Sequence, residues 1–123
     1  VLLFRAAIDR ETEDLLMPTA PLDLGRFADP ALVILVSLSA GPKHGYAIML
    51  DVEAGTDRPM GPGTLYAALA RLEAGGMIEA LPAVDRRRPY RLTPAGSSAL
   101  SQQLTALDTF VQTGLGRLAE LSR

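Results

Sequence analysis

GPGTLYAALARLEAGGMIEALPAVDRRRPYRLTP, residues 61–94, is the stretch that decides how this chain of 123 residues folds. Gly61-Pro62 opens a helix, because proline is tolerated at the first helical position, where its missing N–H costs nothing. The helix runs on through LYAALARLEA and stops at Gly75-Gly76, where glycine suits a left-handed C-terminal cap. Met77 to Val84 then reads as a strand, Asp85 to Arg88 as a tip, and Pro89 to Leu92 as the returning strand. Thr93-Pro94, a cap followed by proline, starts a long last helix.

Working outward on the N-terminal side, Asp29-Pro30 is another helix start, followed by ALVILVSLSA and a stop at Gly41-Pro42. This helix is apolar nearly all round, which predicts a central core element. His44-Gly45 opens a second helix, from Tyr46 to about Glu53. The order is therefore helix, helix, helix, hairpin, helix: a mainly α fold with a small β-hairpin, a winged helix-turn-helix with an added C-terminal helix. Three parts follow: residues 1–28 as N-terminal helix or leader and linker, 29–93 as the winged helix, and 94–123 as a dimerisation helix. Residues 1–16 read equally well as an amphipathic helix and as an optional leader ahead of Met17.

Composition narrows the function. With no cysteine and one histidine, neither a disulfide framework, a Cys-ligated zinc site, a thiol nucleophile nor a multi-histidine metal site can be assembled in one chain. No nucleophile has a base near it in the sequence and no glycine loop is built to cradle a phosphate, so no catalytic residue, metal or cofactor is expected. The longest apolar run, Ala31 to Val36, falls far short of the roughly 18 residues that span a bilayer, and the N-terminal stretch does not read as a signal peptide. A cytoplasmic protein without a membrane partner is the expectation.

The net charge of −2 argues weakly against nucleic acid, but the charge is uneven. From Asp85 to Arg91 there are four arginines and one acid, a local +3 that leaves −5 for the rest. DNA feels the field within about 8 to 10 Å of its phosphates, so the patch outweighs the total. Arg86, Arg87 and Arg88 are accordingly expected to contact phosphate, although a solvated turn is the commoner role of such a run.

On a helical wheel of residues 62–74, Leu65, Leu69 and Leu72 share the core face, with Gly63, Ala67, Ala70 and Ala74 opposite. Thr64 and Arg71 lie on one shoulder, Tyr66 and Glu73 on the other. In helix-turn-helix proteins the later helix enters the major groove, so this face would meet the bases. Its small side chains allow close approach and carry little base information. Arg71 is the one candidate for a base edge. Gly63, Thr64 and the first amides suit a phosphate, and Tyr66 either bonds a phosphate or sits at the core edge. His44 is read first as a helix cap, and with Lys43 as a second phosphate contact.

The last helix carries its own pattern. Leu100, Leu104, Leu107, Val111, Gly114, Leu118 and Leu121 are spaced alternately by four and three, a heptad seam that predicts a homodimer, with part of the seam packed against the first helix of its own chain.

GPKHGYAIMLDV, GPGTLYAALARLEAGGMIEAL and RRRPYRLTPAGSSAL together resemble the PadR family of transcriptional regulators, over about Pro30 to Leu100. The resemblance implies a winged helix, homodimers, double-stranded DNA as partner and repression, often relieved by a small-molecule effector. It places Gly63, Thr64, Leu65 and Tyr66 at the start of the recognition helix and Asp85 to Pro89 in the wing. The extra N-terminal leader departs from the commoner pattern. The single C-terminal helix is similar to the short PadR-like subgroup. A dimeric winged-helix interaction module that does not bind DNA is the alternative, motivated by the acidic total and the alanine-lined helix.

Overall fold

The computed structural model describes residues 29–56 and 59–123. The expectations for residues 1–28 lie outside the described residues. Helix α1 spans Pro30–Leu38, strand β1 Lys43–His44, helix α2 Gly45–Thr56 and helix α3 Pro62–Ala74. Strand β2 spans Ile78–Ala80, strand β3 Pro89–Leu92 and helix α4 Pro94–Leu121.

Helix α1 begins as its sequence predicts, with the Asp29 carboxylate accepting from Ala31 N–H at 2.8 Å and proline in the first turn. It packs against α2, α3, α4 and β3, the central position that its all-round apolarity required. Ile34, Leu35 and Leu38 from α1 meet Ile48 and Val52 from α2, Leu65, Ala68, Leu69 and Leu72 from α3, Ile78 from β2 and Leu100 from α4. Full burial of Ile34, Ile48, Leu65, Leu69 and Ile78 stabilises the fold by about 1.5–3 kcal/mol each before chain entropy is counted.

The β-structure departs from a plain hairpin. Strand β3 lies in the middle of a three-stranded antiparallel sheet, paired on one side with β2 and on the other with β1. Lys43 pairs with Tyr90 and His44 with Pro89, so the segment entering α2 is stitched directly to the wing. The strand expected over Met77–Val84 is shorter. Its register, Ile78 to Leu92 and Ala80 to Tyr90, continues only as far as the Leu81 N–H to Pro89 carbonyl bond of 2.8 Å. Pro82 then has no N–H to give, and Pro82 and Ala83 face Arg88 alone, an excess of one residue of the kind found in a bulge. Pairing resumes at the tip, where Val84 and Arg87 exchange both backbone hydrogen bonds at 2.8 and 2.9 Å.

At the end of α3 the two glycines divide their work. Gly75 keeps helical dihedrals, and Gly76 takes φ +75°, so the left-handed residue is the second of the pair. There the chain meets the start of α4. Thr93 N–H donates to the Met77 carbonyl at 3.1 Å and Thr93 Oγ1 to the Gly76 carbonyl at 2.5 Å. The Thr93 hydroxyl also accepts from Gly96 N–H at 3.0 Å as the cap of α4. Gly96 is buried against this joint so closely that a Cβ there would lie 1.9 Å from the Met77 carbonyl oxygen.

Candidate nucleic-acid interface

Helix α3 turns its leucines inward as the wheel predicts: Leu65, Leu69 and Leu72 are buried, while Gly63, Thr64, Ala67, Ala70, Arg71 and Ala74 are exposed. Gly61 caps the helix without a side-chain hydrogen bond, leaving the first amides of α3 free of side-chain acceptors. Tyr66 is 53% exposed, and its hydroxyl lies against α2: a Cβ added at Gly45 would be 2.8 Å from it. Glycine at position 45 is what lets the tyrosine lie there.

The tip is a tight turn with Asp85 at φ +52° and Arg86 at φ +66°. Two successive left-handed residues match the right-handed twist of the flanking strands, the geometry usually given to Asn-Gly or Asp-Gly. Here arginine stands where glycine would be less strained, by about 1–2 kcal/mol. Arg86, Arg87 and Arg88 are all exposed, and among the described residues no carboxylate lies within salt-bridge range of them. Arg91 is different. It pairs across the strands with Glu79 and forms an ion pair there, so the fourth cation of the sequence patch is neutralised by its neighbour in the sheet.

Lys43 and His44, expected as a pair of phosphate contacts, each have a partner within the chain. The Lys43 ammonium is half-buried and donates to the Ser37 carbonyl in the last turn of α1. It satisfies a helix-end carbonyl of its own chain, a common use of lysine at that position. His44 is the N-cap of α2, its Nδ1 accepting from Ala47 N–H at 3.3 Å. Its Nε2 faces the wing, 3.4 Å from Arg87 Nη1.

The wing and the helix-turn-helix thus enclose an open groove of about 230 Å³, lined by His44, Gly45, Tyr46, Tyr66, Tyr90 and the three tip arginines. Tyr46 and Tyr90 were not singled out from the sequence. The alternation of PYRL places Tyr90 and Leu92 together on the side opposite Arg91, the one sequence signal that pointed to Tyr90.

Helix α4 leaves most of its apolar residues uncovered. Leu100 is the exception, 5% exposed and packed in the chain's own core with Ile34, Leu35 and Leu38 of α1. Leu107 is half-buried, and Leu104, Val111, Gly114, Leu118 and Leu121 are exposed. Phe110 and Leu115, which the strict heptad passed over, are exposed beside them and widen the stripe. Among the described residues no group of three or more His, Asp or Glu could hold a metal ion, and no helix is long and apolar enough to cross a membrane.

The chain is 44% identical over 78 residues to an uncharacterized protein in a transposon of Streptomyces fradiae, covering 63% of this chain and 23% of that protein. It is 38% identical over 77 residues to transcriptional regulator Rv3488 of Mycobacterium tuberculosis, covering 60% of this chain and 61% of the regulator. It therefore spans less than two thirds of the length of both relatives. Among solved structures, a transcriptional regulator from Clostridium thermocellum superposes with a TM-score of 0.61 at 31% identity, covering 68% of this chain and 84% of that one. The model of the transcriptional regulator PadR-like family matches residues 34–102, from the core of α1 through the wing into α4, and the chain belongs to that family.

Proposed function

We propose that the chain is a homodimeric, sequence-specific DNA-binding transcription regulator that acts as a repressor. Helix α3 lies in the major groove and the wing tip rests on backbone phosphates. The observation that carries this reading is the tip: three exposed arginines without acidic partners among the described residues, with Arg86 held in a left-handed conformation where glycine would be less strained. Strain of that kind is kept where the side chain has work to do, and a cation on this turn suits phosphate. The exposed face of α3, with few long polar side chains, supports a reader that leans on phosphates and groove shape more than on base edges.

A second copy of the chain covers the exposed stripe of α4, and the two winged domains meet half-sites about 34 Å apart. Repression follows from occupancy of the operator. An effector, where one is used, binds at the seam and acts by preferring one spacing of the two domains. The net charge of −2 and the alanine face favour the second reading, a winged-helix module that binds protein and not DNA.

Titration of duplex DNA at several salt concentrations separates the two. The wild type binds with a steep salt dependence. Replacing Arg86, Arg87 and Arg88 together by alanine weakens all sequences alike and lowers the slope by up to roughly 2–3 per subunit. An unchanged slope makes the tip a solvated turn, and no binding at low salt leaves the interaction module standing.

A further inference from the structure

The imidazole of His44 has a hydrogen-bond donor on each side. Ala47 N–H points at Nδ1, so in the neutral ring the proton sits on Nε2. Arg87, a side chain with only N–H groups to offer, brings Nη1 to 3.4 Å from that same Nε2. Two donors therefore stand side by side at the mouth of the groove, and among the described residues no carboxylate forms a salt bridge with Arg87. Neither can satisfy the other. A single anionic oxygen placed between them satisfies both. The Tyr66 hydroxyl, against Gly45, lines the same groove and supplies a third donor.

Building on the DNA-binding reading, we propose that this groove seats one phosphodiester of the DNA backbone, held by Arg87 Nη1, His44 Nε2–H and the Tyr66 hydroxyl together. The three groups come from the wing, from β1 and from α3. One phosphate thus locks the wing to the helix-turn-helix, and the backbone amide of Ala47 has already set the tautomer that this requires.

His44 is the one histidine in the sequence, so its ring nitrogens and Nε2–H are read by NMR without ambiguity. Adding a duplex at low salt should shift the Nε2–H signal and slow its exchange with water. His44→Asn keeps an acceptor near the Nδ1 position and loses the distal donor, so it should leave melting unchanged and weaken all duplexes about tenfold, as loss of one charge-assisted hydrogen bond does. Arg87→Ala should weaken binding by a similar factor and lower the salt slope by about 0.9. Combined, the two changes should cost less than the product of their separate effects, because both act on one phosphate. If the wild type binds DNA while the His44 signals stay put, or if the two losses multiply as independent ones, the shared seat is wrong and the DNA reading survives. If no duplex binds at low salt, both fall. Should the asparagine variant fail to fold, the wild-type ring signals still decide.

Discussion

Gly96→Ala tests the joint between the wing and α4. The added Cβ would lie 1.9 Å from the Met77 carbonyl oxygen and 2.8 Å from its carbon, where real contacts do not come under 3.0 Å. The obstacle is backbone, so no side chain can swing away, and the two segments must part by about 1 Å. Three hydrogen bonds cross or cap this joint: Thr93 N–H to Met77, Thr93 Oγ1 to Gly76, and Gly96 N–H to Thr93. Losing two of them costs about 2 kcal/mol, and the overpacking adds about 1–3. Alanine returns up to about 1 kcal/mol through helix propensity, which leaves a net destabilisation of about 2–4 kcal/mol. That is a large share of the roughly 5–15 kcal/mol that holds a domain together. The control is Gly116→Ala in the same helix, where a Cβ meets nothing within 4 Å. Urea denaturation followed by circular dichroism should move the midpoint down for Gly96→Ala and slightly up for Gly116→Ala. A Gly96→Ala protein as stable as the wild type would show that α4 does not enter the body as described.

Leu118→Asp alters a residue that is 60% exposed within the chain, so each chain should stay folded while sedimentation shows monomers; a persistent dimer would remove α4 from the interface. Ser37→Ala deletes a buried hydroxyl with no hydrogen-bond partner among the described residues, and should raise stability by up to about 1 kcal/mol in thermal melts; a loss of stability would mean the hydroxyl is satisfied. Arg71→Ala should cost about 1–3 kcal/mol on the operator and relax the preference at one base position per half-site, with little change on scrambled DNA; equal losses on both would place Arg71 on a phosphate.

What the sequence revealed and what it hid follow from the range of the interactions. The leucines of α3 recur at helical spacing, and the proline-led starts of α1, α3 and α4 are local signals, so each was legible residue by residue. Strand β1 was not. Two residues, Lys43 and His44, become a strand only because Tyr90 and Pro89 lie beside them, and nothing within the local window announces that. The same distance hid the neutralisation of Arg91, since its partner Glu79 is fixed by register across the hairpin. Lys43 reads as a free cation until the loop folds back and brings its ammonium to the end of α1. For the interface, the residue types were visible and their grouping was not. The tip arginines and His44 stand more than forty positions apart in the chain, and only the fold brings Arg87 to the ring.

Helix α4 has a mechanical consequence. It is 28 residues long, yet its buried residues, Gly96 and Leu100, both lie near its start. From Ser101 onward it extends about 30 Å, and within the single chain it is gripped chiefly at its start, with Leu107 alone half-buried beyond it. Such a helix is a lever, and its fulcrum is the Gly96 joint. A tilt of about 5° there carries the far end through about 3 Å over that length. Small adjustments in how the body grips the first turn are thereby magnified at the tip, and small displacements imposed at the tip return to the wing as slight rotations under high leverage.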